Sequence, residues 1–315
     1  MKLSIIIPCL NAEATLPVQL EALANQVWSE PWEVIVADNG STDGSGNIIR
    51  QYQGRLPALS VVNASGKRGA AHARNAGIRA AQSEALAFCD ADDEVGPEWV
   101  ARMGEALSKH DVVYGQFHFD KFNDPQLAAV AARAWEGGLY KGRFLPGGGT
   151  GNLGVRRSVH EAIGEFDEHL LHSEDADYYW RLQLEGFALH YVPEAVVQVR
   201  SARTNPTPAY LFRRARRRSA SNYWLYKRYK HLGMSPPPSV KHSLAPWINH
   251  LMRSHHFIAS GRKRRAWLEL FSTSSGDLVG QIQGRLTNPC KAYNPRKINQ
   301  SQENPKGHTP NATDY

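Results

Sequence analysis

Two acidic pairs are the residues of this chain best suited to do chemistry. Asp90 and Asp92 lie in Phe88-Cys-Asp-Ala-Asp-Asp-Glu94, with Asp93 beside them. Carboxylates so spaced suit Mg²⁺ or Mn²⁺, which favour oxygen ligands and bind jointly to substrate phosphates. A metal held there would neutralise charge developing on a departing phosphate group. Glu174 and Asp175 form the second pair, at the start of a helix predicted over 174–185. A helix N-terminus favours the ionised carboxylate, which keeps such a group unprotonated at neutral pH. Each pair also has a plainer explanation. The first fits a solvated turn capping a helix at Pro97, and the second fits simple helix-dipole complementarity.

The elements that must position these groups follow from apolar spacing. Strands are predicted over 3–7, 33–37, 59–63, 86–89 and 112–119. Helices are predicted over 13–26, from Ser41-Thr-Asp-Gly-Ser45, over 69–81 and from Pro97. This β-α-β-α order predicts a mostly parallel sheet covered on both faces. The strand over 86–89 then delivers Asp90, Asp92 and Asp93 to the carboxyl edge, where open α/β sheets bind ligands. Two polar loops share that edge, Pro8-Cys-Leu-Asn-Ala-Glu13 and Ala37-Asp-Asn-Gly-Ser-Thr-Asp43. Neither carries a dinucleotide glycine fingerprint, and the chain has no phosphate-cradling Gly-x-x-x-x-Gly-Lys-Ser/Thr. The middle, 120–200, is less regular: a glycine-rich run at 147–151, a strand over 152–156, and short strands over 189–192 and 196–200. The glycine run predicts either a close backbone approach to a ligand or a flexible loop.

In order and spacing, several pieces resemble a family 2 glycosyltransferase of the GT-A fold. They are Ser4-Ile-Ile-Ile-Pro-Cys-Leu-Asn11, Val34-Ile-Val-Ala-Asp-Asn-Gly-Ser-Thr-Asp-Gly-Ser45 and Gly69-Ala-Ala-His-Ala-Arg-Asn-Ala-Gly77. The series continues with Asp90-Ala-Asp-Asp93, Gly151-Asn-Leu-Gly-Val-Arg-Arg157, Gly164-Glu-Phe-Asp-Glu168 and Ser173-Glu-Asp-Ala-Asp-Tyr-Tyr-Trp-Arg181, covering about residues 3–200. The resemblance implies an α/β, Rossmann-like sheet flanked by helices. It also implies inverting transfer of a sugar from a nucleoside-diphosphate sugar to a saccharide, lipid-linked or small-molecule acceptor. By resemblance Asp175 is the general base with Glu174 beside it. Pro8, Asn11, Glu13, Asp38, Asn39, Ser41, Arg74 and Asp90 contact the donor. Asp92, with Asp90, meets a divalent metal, Mg²⁺ or Mn²⁺. Many relatives have aspartate where Asn39 stands; UDP is the first expectation for the nucleotide, with dTDP and GDP open. Many also have a metal-ligating histidine where this chain reads Ala195-Val-Val-Gln-Val-Arg-Ser201, so Arg200 is a candidate to neutralise the diphosphate instead.

Charge divides the chain. Residues 1–200 hold 17 Lys+Arg and 26 Asp+Glu, whereas residues 201–315 hold 20 and 4. The expected organisation is a catalytic domain over 1–202, a basic helical extension over 203–287 and a disordered tail over 288–315. Arginines and aromatics alternate over 210–230, and Arg262-Lys-Arg-Arg265 forms a second basic cluster. Such a helix reads as a peripheral membrane contact, as a nucleic-acid contact, or as a solvated helix with one face packed on the catalytic domain. The three cysteines, Cys9, Cys89 and Cys290, form no Cys-x-x-Cys pair and are expected as reduced, buried thiols. With no long apolar span and no signal peptide, the chain is expected in the cytoplasm. The competing functional readings are a nucleotidyltransferase, which would want a glycine-rich basic signature after the first strand, and a nucleic-acid-binding protein with a non-catalytic domain.

Overall fold

The computed structural model describes residues 2–200, 206–257 and 261–295. Its first half alternates β1 (Leu3–Cys9), α1 (Leu16–Ala24), β2 (Trp32–Asp38), α2 (Ser45–Gln51), β3 (Leu59–Asn63), α3 (Ala70–Ala80) and β4 (Ala85–Phe88). Then come β5 (Glu94–Val95), α4 (Trp99–Lys109), β6 (Val112–His118), α5 (Pro125–Ala134), β7 (Leu153–Arg156), α6 (Arg157–Ile163), α7 (Glu174–Leu184) and β8 (His190–Gln198). Eight strands form one sheet in the order β3-β2-β1-β4-β7-β6-β8-β5. The first four strands of that order are parallel, as is β6 with β8. β7 runs antiparallel between β4 and β6, and β5 pairs antiparallel with β8.

Both faces of the sheet are covered, because β1 has apolar side chains on both. Leu3, Ile5 and Ile7 pack with α1 and α4, while Ile6 joins Phe88, Leu153, Tyr178 and Tyr179 on the other side. Residues 189–200, expected as two short strands, form the single β8. Gly115 pairs with Val192 and Gln116 with Val196, so Pro193, which has no N–H to offer a ladder, falls in the bulge.

Three helices complete the described chain: α8 (Pro208–Tyr229), α9 (Val240–Met252) and α10 (Gly261–Leu286). α8 and α10 pack backbone to backbone. A Cβ on Gly276 would overlap the carbonyl oxygen of Phe212, and one on Gly280 that of Arg216. One turn on, Gly284 faces Ala220 and Tyr223. Aromatic residues of the basic helix turn inward, with Tyr223, Trp224 and Tyr229 buried beside Leu225. Tyr229 donates to the fully buried Asp177 of α7 (2.6 Å). Asp177 also takes Arg181 Nε (2.8 Å) and Arg228 Nη1 (3.3 Å), and Arg228 reaches on to Asp167 (2.6 Å). Residues 288–295, expected within a disordered tail, pack here as well. Cys290 is buried, and the Tyr293 hydroxyl donates to Glu185 (2.5 Å). The remainder of that expected tail, 296–315, lies outside the described residues. All three cysteines are free and buried. Among the described residues no helix is long and apolar enough to cross a membrane.

Candidate active site

A cleft of about 1240 Å³ opens at the carboxyl ends of β1 and β4. Of the residues singled out above, Pro8, Asn11, Asn39, Arg74, Asp90, Asp92, Glu174 and Arg200 line it. Glu13, Asp38, Ser41 and Asp175 do not.

The parallel register of β1 and β2 sets Cys9 opposite Asp38, so the two following loops lie side by side. Their polar side chains bind each other. Asn11 N donates to Ser41 Oγ (3.0 Å), and Asn11 Oδ1 accepts from Thr42 N (2.8 Å). Glu13 accepts from Gly44 N (3.0 Å), while Glu13 N donates to Asp43 (3.0 Å). Asp38 accepts from Ser41 N (2.9 Å). Asn39 is 3% exposed and holds the loop ahead of α3. Its Nδ2 donates to the carbonyls of Ala64 (2.6 Å) and Lys67 (2.8 Å), and its Oδ1 accepts from Gly69 N (2.9 Å). An aspartate would face two carbonyl oxygens with no proton to give, which accounts for asparagine at this position.

Arg74 of α3 is neither a surface arginine nor a free phosphate ligand. It is 4% exposed and clamps the two acidic pairs together, with Nη2 on Asp90 (2.8 Å) and Nη1 on Glu174 (3.0 Å). Its neighbour Asn75, fully buried, bonds Phe166 through both backbone groups and reaches Glu168. Burial opposes the charge of Glu168, yet hydrogen bonds from Asn75, His72 and Lys67 hold it down at about 2.

The three aspartates after β4 part company. Asp92 is exposed and Asp90 partly so. Asp93 is buried and accepts from Arg200 N (2.8 Å), tying this turn to the end of β8. Burial, then the charges of Asp90 and Asp92, push Asp93 well above the usual carboxylate range. Arg200 Nε meets the carbonyl of Asp92 (3.2 Å), and its guanidinium lies 4.0 Å from the centre of the Phe122 ring. Gly151 closes the site from beneath, where a Cβ would stand 2.8 Å from Asp90 Oδ2. The preceding glycines, 147–149, pack against Trp180, Tyr179 and Phe117 and lie outside the cleft lining. Trp180 itself is core, its Nε1 bonded to Leu145 O (2.8 Å).

Asp175 stands one residue behind Glu174, with Oδ1 accepting from Ala176 N (2.8 Å). Burial and the adjacent Glu174 push it up to about 7, against the lowering by that amide and by Arg74. The helix terminus thus loses to desolvation, contrary to the expectation from the dipole alone.

The far wall belongs to α8, which sequence reasoning did not place here. Thr207, Tyr210, Arg214 and Arg217 line the cleft opposite Arg68. Arg214 and Arg217 are exposed, and among the described residues no carboxylate pairs with either. The arginine run was visible in the sequence, but only the packing of α8 on α10 and α7 brings two of its members to the cleft that Asp90 lines.

A family model, Glycosyl transferase family 2, matches residues 4–164. The chain belongs to glycosyl transferase family 2. Glycosyltransferase AglE of Haloferax volcanii is 28% identical over 200 residues, covering 61% of this chain and 65% of that protein. The uncharacterised glycosyltransferase YibD of Escherichia coli is 41% identical over 119 residues, 38% of this chain and 34% of that one. The chain therefore spans less than two thirds of the length of these family members. Among solved structures, the mannosyltransferase PcManGT from Pyrobaculum calidifontis, in complex with GDP-Man and Mn²⁺, has a TM-score of 0.55 at 19% identity. The match covers 87% of this chain and 86% of that one, and the two share the GT-A fold of the family.

Proposed function

We propose that this chain is an inverting glycosyltransferase taking its sugar from a nucleoside diphosphate, UDP first. In this reading residues 1–202 carry the reacting groups and 203–287 supply the far wall of the cleft. One observation carries the proposal: a single cleft sets Asp90, Asp92 and Glu174 against Arg68, Arg200, Arg214 and Arg217. Carboxylates alone would repel a diphosphate, and arginines alone would bind any anion. Together they fit a diphosphate held between cations and a metal-binding edge.

The residues present fit a divalent ion only with help. Among the described residues no three His, Cys, Asp or Glu side chains gather as a ligand set. Exposed Asp92 and the free edge of Asp90 leave the remaining positions to phosphate oxygens and water, as suits Mg²⁺ or Mn²⁺. Bound there, the ion would stabilise charge on the leaving diphosphate. The acceptor hydroxyl oxygen attacks the anomeric carbon while the bond from that carbon to the diphosphate breaks. The hydroxyl proton passes to the Glu174–Asp175 pair: Glu174 lines the cleft, and Asp175 directly behind it, raised to about 7, is the base. Arg74 keeps Glu174 and Asp90 in fixed relation. Arg200, Arg214 and Arg217 balance the diphosphate, since residues 191–200 hold no histidine to serve a metal there.

A thermal-shift series with UDP, GDP and their sugars, with and without Mn²⁺, tests the proposal. A nucleotide sugar that binds the folded state raises the melting temperature. No shift with any nucleotide, at concentrations that saturate comparable enzymes, would overturn it.

A further inference from the structure

The C-terminal helices leave one apolar face uncovered. α9 has no buried residue. It leans on α10 through Trp247, whose Nε1 donates to Ser275 Oγ (3.1 Å), and through a hydrogen bond between Ser243 and Gln281. Leu244, Ile248, Leu251 and Met252 point elsewhere and are 37%, 43%, 47% and 77% exposed. At helical spacing these four fall within an arc of about 100°. Trp267 Nε1 donates to the carbonyl of His250 (2.7 Å), which sets the end of α9 against the first turns of α10. Lys263 and Arg264 precede Trp267 by one turn on the same side of α10, and both are exposed. Lys241 and Arg253, also exposed, flank the apolar face at either end. No Asp or Glu occurs between Glu194 and Glu269, so the sequence around this face holds no local counter-charge.

We propose that this face of α9, with Lys241, Arg253, Lys263 and Arg264 around it, docks on an anionic lipid surface. Apolar side chains enter the interfacial region while flanking cations meet acidic headgroups, and each term adds to the other. The alternatives fit less well. A second copy of the chain would bring the same uncompensated cations face to face. A nucleic acid would use the cations and leave Leu244, Ile248 and Leu251 unexplained. The aromatic face of α8, the more obvious membrane candidate in the sequence, is spent on internal packing. The proposal does not depend on the chemistry in the cleft.

Flotation of the full chain with vesicles tests it, using phosphatidylcholine alone and phosphatidylcholine mixed with phosphatidylglycerol. The chain is expected to float with the mixed vesicles, to ignore the neutral ones and to be released by salt. Combining Leu244→Ser, Ile248→Ser and Leu251→Ser should weaken vesicle binding about tenfold or more. Lys263→Gln with Arg264→Gln should weaken it about tenfold, with an unchanged melting temperature. Absence of binding to the mixed vesicles, or binding untouched in both variants, would overturn the proposal. So would a concentration-dependent dimer abolished by the serine variant, or retention of an oligonucleotide in preference to vesicles. Nucleotide binding, followed in the same samples, separates a failure here from a failure of the glycosyltransferase reading.

Discussion

Residues 1–200 and the helices that follow handle charge in opposite ways. The first region is acidic and locks its carboxylates in place: Asp90 and Glu174 by Arg74, Glu168 by Lys67 and His72, and Asp177 by Arg181. The second is strongly basic, and among its described residues few cations meet a carboxylate: Arg218 with Asp277, Arg228 with Asp167 and Asp177, and Arg265 with Glu269. Its order comes instead from glycines that let α8 and α10 touch. The two regions meet at the cleft wall, at the buried Asp177 and at Glu185, which accepts from Tyr293. A fixed acidic edge facing unpaired arginines leaves room for an anion between them. Had α8 carried its own carboxylates, the arginines would already have been neutralised.

The largest effect is expected on the acidic side. Asp175→Asn should lower turnover by about 10²–10⁴-fold, the range for loss of a general base, while leaving donor binding intact. Single-turnover transfer and nucleotide-induced melting shifts measure the two separately, and undiminished transfer would remove Asp175 from the mechanism. The same group predicts a pH dependence. Because its folded affinity for a proton is raised to about 7, activity should climb as pH rises through that value. Its contribution to stability has the opposite sign. It is fully present below the ordinary carboxylate range and lost as pH rises through about 7, because the unfolded chain has by then released the proton. Melting curves between those limits should be flatter for Asp175→Asn than for the parent.

Next comes the junction between the two regions. Asp177→Ala would leave Arg181 and Arg228 buried without their shared carboxylate, at a cost of about 3–5 kcal/mol. Chemical denaturation measures this. If the loss falls below about 1 kcal/mol, the junction is not what holds α8 to α7. Gly280→Val tests the other anchor. Its side chain would overlap the backbone of Arg216, and overpacking of this kind costs about 1–3 kcal/mol. Protease sensitivity between α8 and α10 should rise with it.

Local patterns explain what could be read without the structure. Short apolar runs marked β1, β2, β3, β4 and β6, and the acidic pairs announced themselves by spacing. β5, only two residues long, left no pattern to read. α5 did leave one, since Asp124 caps it ahead of Pro125 and accepts from Gln126 N, but the surrounding glycines and aromatics masked it. The seam of Gly276, Gly280 and Gly284 has helical spacing, yet nothing local says which helix it faces. Likewise Asn11, Glu13, Asp38 and Ser41 have the types expected of ligand contacts. Only the β1–β2 register shows that Asn11, Glu13 and Ser41 bind two neighbouring loops together while Asp38 braces its own.

Asn39 gives the smallest and most selective test of that distinction. If it serves chiefly as scaffold, Asn39→Asp should cost stability before it alters nucleotide preference. The carboxylate would keep the acceptor for Gly69 N but lose both donors, leaving the carbonyls of Ala64 and Lys67 opposed by negative charge. Unsatisfied buried groups of this kind cost about 1–3 kcal/mol, here toward the lower end because Lys67 lies near the surface. The loop over 64–69 should loosen, seen as faster amide exchange at Gly69. Arg68, which lines the cleft from the same loop, would then lose its fixed position. Donor affinity should fall only modestly, and equally for UDP and GDP. A sharp change in the preference between those nucleotides, at unchanged stability, would instead make Asn39 a base-reading residue and assign the acidic loops of the first region to recognition as well as to support.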